Sequence, residues 1–292
     1  MSSAQQLPFD QGPRIVLYHQ TFHVDNGSYV SLLPLVTERT GVTHVIVAAI
    51  HLNDPPGNIT LNNHPPHAAR YDTLWTEVLW LQASGVKVLA LLGGAAKGSF
   101  ARLDGDVDGF ERFYRPLRDV VAKYRLNGLD LDVEEEMSLP GVMRLIDRLR
   151  ADFGPQFLIT LAPVAAALLP DLKHLSGFDY RLLEQLREHE IAWYNAQFYN
   201  GWGDASTLFW YDAIVSAGWS PARFVMGVIL NPCFGAGYVP VAQLSDVLRQ
   251  LLEQYPSFGG VMGWEYFAAL PGGRERPWQW AAEMGSLLRQ VN

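Results

Sequence analysis

Between positions 127 and 134 the chain reads Asn-Gly-Leu-Asp-Leu-Asp-Val-Glu, so Asp130, Asp132 and Glu134 recur at every second residue. In a strand, side chains two apart point the same way, which puts the three acids on one face and Leu129, Leu131 and Val133 on the other. Successive acids then stand roughly 6.6 Å apart by strand rise, close enough to interact in a low-dielectric interior. Carboxylates crowded in this way retain at least one proton near neutral pH, and a retained proton makes a general acid. A half-exposed strand with a merely solvated acidic face is the alternative reading of the row taken alone.

The elements that must position this row alternate along the whole chain. Short apolar, β-branched runs at 14–18, 43–50, 86–92, 128–133, 157–162, 191–199, 224–230 and 260–264 predict eight strands. Segments of helical periodicity lie near 28–38, 71–84, 108–124, 140–152, 179–188, 207–217, 241–254 and 277–290. Eight βα units in this length predict an α/β fold, a single (β/α)8 TIM barrel, with a doubly wound open sheet as the alternative. Closure is favoured because the strands are apolar almost throughout and their polar exceptions gather at the carboxyl ends, where a barrel carries its chemistry. The expected division is a tail over 1–12 and the barrel over 13–292. Residues 51–69, rich in Pro, Asn and His, form a loop long enough to wall a cleft and to include a small hairpin.

Composition agrees with one large soluble domain. The 292 residues are 49% hydrophobic and 18% charged, enough to bury a sizeable core. Thirty acids against 22 bases leave a net charge of −8 with no basic run, which argues against a nucleic-acid partner. No apolar stretch approaches the roughly 20 residues of a membrane span. Cys233 is the single cysteine, and the first residues lack a secretory pattern, so the expectation is a cytoplasmic monomer, or a secreted protein if a leader has been removed. The histidines show no metal-ligand spacing, so neither a metal nor a cofactor is expected.

The row, preceded by Asn127, resembles the Asp-x-x-Asp-x-Asp-x-Glu signature of glycoside hydrolase family 18, the chitinases and endo-β-N-acetylglucosaminidases, with Asn127 in place of its first acid. The resemblance is strongest to the compact type seen in plant class III and fungal chitinases, whose barrel has no inserted α+β domain. Other strand ends fit. Leu91-Leu92-Gly93-Gly94 is similar to the family's Ser-x-Gly-Gly, whose glycines let the backbone approach the sugar, although a glycine turn after a strand reads the same way. Leu161-Ala162-Pro163 is a weaker match. Gln197-Phe198-Tyr199-Asn200 resembles a Gln-x-Tyr-Asn stretch whose Tyr and Asn hold the acetamido group of the cleaved sugar. Met262-Gly263-Trp264 resembles the stretch whose tryptophan floors that sugar, and Tyr18 at the end of the first strand resembles another floor residue. Trp202 and Trp210 fit either a sugar platform or helix packing.

The resemblance implies a retaining hydrolase of β-1,4-linked N-acetylglucosamine, acting on chitin, chitooligosaccharide or an N-glycan. Glu134 would donate the proton, Asp132 would orient the substrate's acetamido group, Tyr199 would bond its oxygen and Asp130 would buffer Asp132. An oxazolinium ion would form, because acids on one strand cannot straddle a sugar as the paired carboxylates of a conventional retaining enzyme do. Cleavage at the chitobiose core of N-glycans and sugar binding without hydrolysis are the alternatives; chitinase-like lectins usually lack the terminal glutamate that is present here as Glu134. Glu135, Glu136 and Glu265 are expected to be structural.

Overall fold

The structure is a computed structural model and describes residues 12–289. The expected tail, apart from Gly12, and position 290 of the last expected helix lie outside the described residues. Along the chain run β1 (Arg14–His19), α1 (Pro34–Thr37), β2 (His44–Asn53), β3 (Asn58–Leu61), α2 (Asp72–Ala83), β4 (Lys87–Gly93), α3 (Val107–Lys123) and β5 (Gly128–Asp132). There follow α4 (Leu139–Phe153), β6 (Leu158–Leu161), α5 (Tyr180–Arg187), β7 (Trp193–Gln197), α6 (Phe209–Ser216), β8 (Phe224–Ile229), α7 (Val241–Gln254), β9 (Gly260–Trp264) and α8 (Gln279–Arg289). Strand β1 pairs in parallel with both β2 and β9, so eight parallel strands close into a ring and the open-sheet alternative falls. The loop expected to hold a hairpin does so: β3 folds back antiparallel on the extended end of β2. Among the described residues no helix is long and apolar enough to cross a membrane.

Alternation along the strands divides the interior in two. Val16, Tyr18, Ile46, Leu89, Leu91, Trp193, Val225 and Met262 face inward and fill the barrel, whereas the much larger cluster between strands and helices takes their neighbours. All five residues of β5 are buried, so its acidic face points into a packed barrel and not toward water. The helices are set by the loops that precede them. Asp106, Ser138 and Asp179 accept from backbone N–H groups at the starts of α3, α4 and α5, satisfying donors that would otherwise have no partner.

Two departures from the sequence expectation change the local path of the chain. The helix expected near 28–38 is reduced to Pro34–Thr37, because Glu77 of α2 reaches across and accepts from Tyr29 Oη, Ser31 Oγ and Leu32 N at 2.6–3.0 Å. A tertiary carboxylate takes the bonds that a first helical turn would have made. The strand expected over 191–199 ends at Gln197, where the chain leaves the sheet and Asn200 adopts a positive φ of 55°.

The barrel leaves no room for a side chain at the foot of β5, where a Cβ on Gly128 would lie 2.2 Å from the carbonyl oxygen of Leu158. Gly128→Ala is therefore expected to destabilise the fold by about 2–3 kcal/mol, because backbone on the neighbouring strand cannot yield as a flexible side chain can. Thermal melting checks this, and an unchanged midpoint would refute the steric account.

Candidate active site

Strand β5 delivers its acids at the carboxyl end of the barrel. Asp130 is fully buried and accepts three hydrogen bonds, from Tyr18 Oη at 2.8 Å, Thr160 Oγ1 at 2.6 Å and Asn195 Nδ2 at 2.9 Å. Asp132 stands one step nearer the mouth. Beyond it the strand ends one residue sooner than expected: the carbonyl of Asp132 accepts from both Glu134 N and Gly94 N, and the chain turns. Glu134 nevertheless returns to the row, because Gln197 Nε2 donates to Asp132 Oδ1 at 3.2 Å and approaches Glu134 Oε1 at 3.4 Å. The same nitrogen donates to the Ala162 carbonyl at 2.9 Å, which fixes the amide in place.

Burial governs the electrostatics. It pushes Asp132 well above the usual carboxylate range, and the neighbouring Glu134 and Asp130 push it in the same direction. Glu134 is also raised by burial, opposed by its bond from Gln197 and by the positive charge of Lys97. Asp130 is raised by burial too, against the pull of the three donors that favour its anion. Asp132 and Glu134 therefore titrate as a pair that holds its proton above the usual carboxylate range. The phenols of Tyr18 and Tyr199 are raised well above their ordinary value, first by burial and then by these acids, so both remain O–H donors.

Of the residues singled out from the sequence, Tyr18, Asp130, Asp132, Glu134, Gln197, Tyr199 and Trp264 are brought to this end of the barrel. The rings of Tyr18 and Trp264 lie 5.6 Å apart between centroids, and Tyr199 belongs to the same inner cluster. Of the others, Gly93 and Gly94 adjoin Asp132, and Asn200 and Trp202 lie beyond β7. Gly93 is required by packing: a Cβ there would meet the Phe100 ring at 2.3 Å and the Asp132 carbonyl at 2.7 Å, whereas Gly94 faces Asp132 Oδ2. Asn200 is exposed and clasps the loop after β8, its Oδ1 and backbone N–H bonding Ala236. Trp202 packs on the cluster between barrel and helices and is not part of the inner one. Asn127 sits at the foot of β5, where its Oδ1 accepts from Val88 N at 2.8 Å and Gln82 Nε2 at 3.1 Å, far along the strand from Glu134.

Glu135 and Glu265 have structural partners. Glu135 accepts from Gly98 N and Phe100 N, both at 2.8 Å, and Glu136 is exposed. Glu265 accepts from Gln20 N, Thr21 N and Thr21 Oγ1 at 2.7–2.9 Å, tying the exits of β9 and β1 together. Site residues that sequence reasoning passed over are Thr160, Asn195, Lys97, Phe234 and Tyr238. Asn195 had a signal, since Trp193, Asn195, Gln197 and Tyr199 alternate along β7 and its exit as the acids do along β5. Phe234 and Tyr238 had none; they pack on the inner cluster beside Trp264 only because the loop after β8 folds over the mouth.

A closed parallel barrel with a proton-holding carboxylate row at the carboxyl ends of its strands is the framework of a barrel hydrolase acting by acid–base chemistry. Residues 14–231 match the model of the glycosyl hydrolases family 18, and the chain belongs to that family. A chitinase of Aspergillus fumigatus has 60% sequence identity and a TM-score of 0.87, covering 94% of this chain and 99% of its own. A fungal endo-β-N-acetylglucosaminidase of family 18 has 47% identity and a TM-score of 0.91, covering 95% of this chain and 99% of its own. Chitinase 2 of Rhizopus oligosporus is 26% identical over an alignment of 286 residues, gaps included, that covers 87% of this chain and 49% of the relative, so the chain spans about half that relative's length.

Two outcomes follow from the buried charges. A carboxyl group whose folded pKa exceeds its unfolded one binds more protons when folded, so its penalty on stability grows as pH rises through that window. Asp132→Asn is expected to raise the thermal midpoint at pH 7 by about 2–4 °C, an increment of roughly 1 kcal/mol in a chain of this size, and to lose that advantage near pH 4. Parallel melts at the two pH values test it. Lys97 sits in a loop anchored to the exit of β5 on both sides, by Gly94 N on Asp132 and by Gly98 N and Phe100 N on Glu135. Removing its charge in Lys97→Met should move the basic limb of the activity profile to higher pH, and Lys97→Glu further still, with the difference fading at about 1 M salt. Coincident limbs at low salt would show that Lys97 does not bias Glu134.

Proposed function

We propose that the protein is a retaining hydrolase of β-linked N-acetylglucosamine chains in which the substrate supplies the nucleophile. One observation carries this reading: among the described residues the mouth holds a single carboxylate row, and the two other buried acids near it, Glu135 and Glu265, are spent on neighbouring backbone N–H and hydroxyl donors. A conventional retaining glycosidase needs carboxylates about 5–5.5 Å apart on opposite sides of the scissile bond. With none to attack from across the sugar, the 2-acetamido oxygen is the group left to attack C1.

In this reading Glu134 protonates the glycosidic oxygen and then, as a carboxylate, activates water. Asp132 takes the acetamido N–H and balances the oxazolinium charge that develops, while the Tyr199 phenol, kept protonated by its surroundings, donates to the acetamido oxygen. Asp130 stands behind Asp132, and its three donors favour its anion against the effect of burial. Tyr18 and Trp264 supply an apolar floor, and Phe234 and Tyr238 extend the aromatic surface beside it.

Two substrate classes suit this chemistry. Linear chitooligosaccharide is the reading we favour, in line with the name of the relative at 60% identity. The chitobiose core of an N-glycan is the second, because the neighbour named as an endo-β-N-acetylglucosaminidase superposes with the higher TM-score of the two. Release of the fluorophore from a chitooligosaccharide, measured beside deglycosylation of a high-mannose glycoprotein, separates them.

Glu134→Gln is expected to reduce turnover by at least about 10³-fold while retaining chitooligosaccharide binding, since it removes the transferable proton and little else. Proton NMR of the wild-type reaction should show the β-anomer first. Residual activity above a tenth of wild type, or the α-anomer appearing first, would overturn the assignment.

A further inference from the structure

Trp193 stands at the foot of β7, on the wall of a cavity of about 710 Å³ that opens at the opposite end of the barrel from the acids. It is almost fully buried, with the Arg14 guanidinium 4.8 Å from its ring and the His44 imidazole edge-on at 4.6 Å. Its indole Nε1–H donates to Asn195 Oδ1 at 2.9 Å, and Asn195 Nδ2 donates to Asp130 Oδ1 at 2.9 Å. The side chains of Trp193 and Asn195 share a face because they are two residues apart on one strand.

We infer that Trp193 is a positioning residue for the acid row: by donating to Asn195 it turns that amide so that its N–H, and not its carbonyl, meets Asp130. The step rests on donor and acceptor inventory. An indole N–H can only donate, so the atom it meets on Asn195 must be the oxygen, which leaves the NH₂ for Asp130. An ionised carboxylate can only accept, and so is matched by that NH₂; a carbonyl turned toward Asp130 would instead be satisfied only by a protonated acid. Without the indole the amide is free to turn over, and both orientations become available. Tyr18 and Thr160 do not perform this selection, because a hydroxyl can donate or accept as its partner requires.

The consequence is carried along the row. Asp130 held as an anion raises Asp132 by charge repulsion and keeps the mobile proton at the Asp132–Glu134 end, where catalysis needs it. An Asp130 that can itself take up the proton relaxes that repulsion, so the pair loses its proton at lower pH. Losing the indole N–H should therefore move the basic limb of kcat/KM downward, the opposite direction to Lys97→Met.

This inference rests on the catalytic reading of the row, and Glu134→Gln run in the same assay tests that reading separately. The variant is Trp193→Phe, with site-specific benzothienylalanine as a second replacement that keeps the fused ring and exchanges the N–H for sulfur. We expect kcat to fall about tenfold, the order of one hydrogen bond to a charged group, with KM little changed and the basic limb displaced to lower pH. In an Asn195→Ala background the same replacement should move neither the limb nor kcat further, because the amide it orients is absent. If either replacement folds with the wild-type limb and kcat, or if its effect adds in full to that of Asn195→Ala, Trp193 is a packing residue and the inference fails. If Glu134→Gln stays active, the catalytic reading fails and takes this inference with it.

Discussion

Everything at the working end of this protein depends on one column of three carboxyl groups, Asp130 and Asp132 buried inside a packed barrel and Glu134 half-buried at its mouth. Water would screen and solvate them separately, and each would ionise in its usual range. Inside the barrel their charges oppose one another, so protons are retained and their placement becomes a property of the whole column. Asp130 is held by Tyr18, Thr160 and Asn195 at 2.6–2.9 Å, whereas Asp132 has a single bond from Gln197 at 3.2 Å. The unequal donor supply separates an acid anchored by three bonds at the back, whose anion those donors favour, from one held by a single bond nearer the front.

That column is costly to a fold, and the surroundings are built to tolerate it. The donors come from β1, β6 and β7, so strands distant in sequence must close into a ring before Asp130 is satisfied. A barrel offers this arrangement because inward side chains from neighbouring strands meet in layers. The acids outside the row illustrate the contrast. Glu77, Glu135 and Glu265 are also buried, yet each accepts backbone N–H bonds and fastens a loop, so their charge is used in holding shape.

The two clearest neighbours of known structure bear different enzyme names although both overlay nearly the full length of this chain. The acid row lies in the barrel, and the loops around the mouth shape the space in front of it. Here those are the β2–β3 hairpin and the segment after β8 that brings Phe234 and Tyr238 to the rim. The acid row and the rim around it are thus built from different parts of one domain, as is common for this architecture.

The sequence by itself determined the local order: eight apolar strands alternating with helices, the period-two row ending in Glu134, and Gln197 and Tyr199 alternating on the strand that answers it. These are properties of residues two to twenty positions apart, which strand and helix periodicity express directly. Only the tertiary structure decided which donors meet which acid, because Tyr18, Thr160 and Asn195 come from separate strands. It also decided that Glu77 would hold open the segment expected to be a helix, that Asn200 would clasp a loop and that Gly93 would serve packing. Each of these outcomes depends on a partner far away in the chain, where the pattern of neighbouring residues carries no information until the ring has closed.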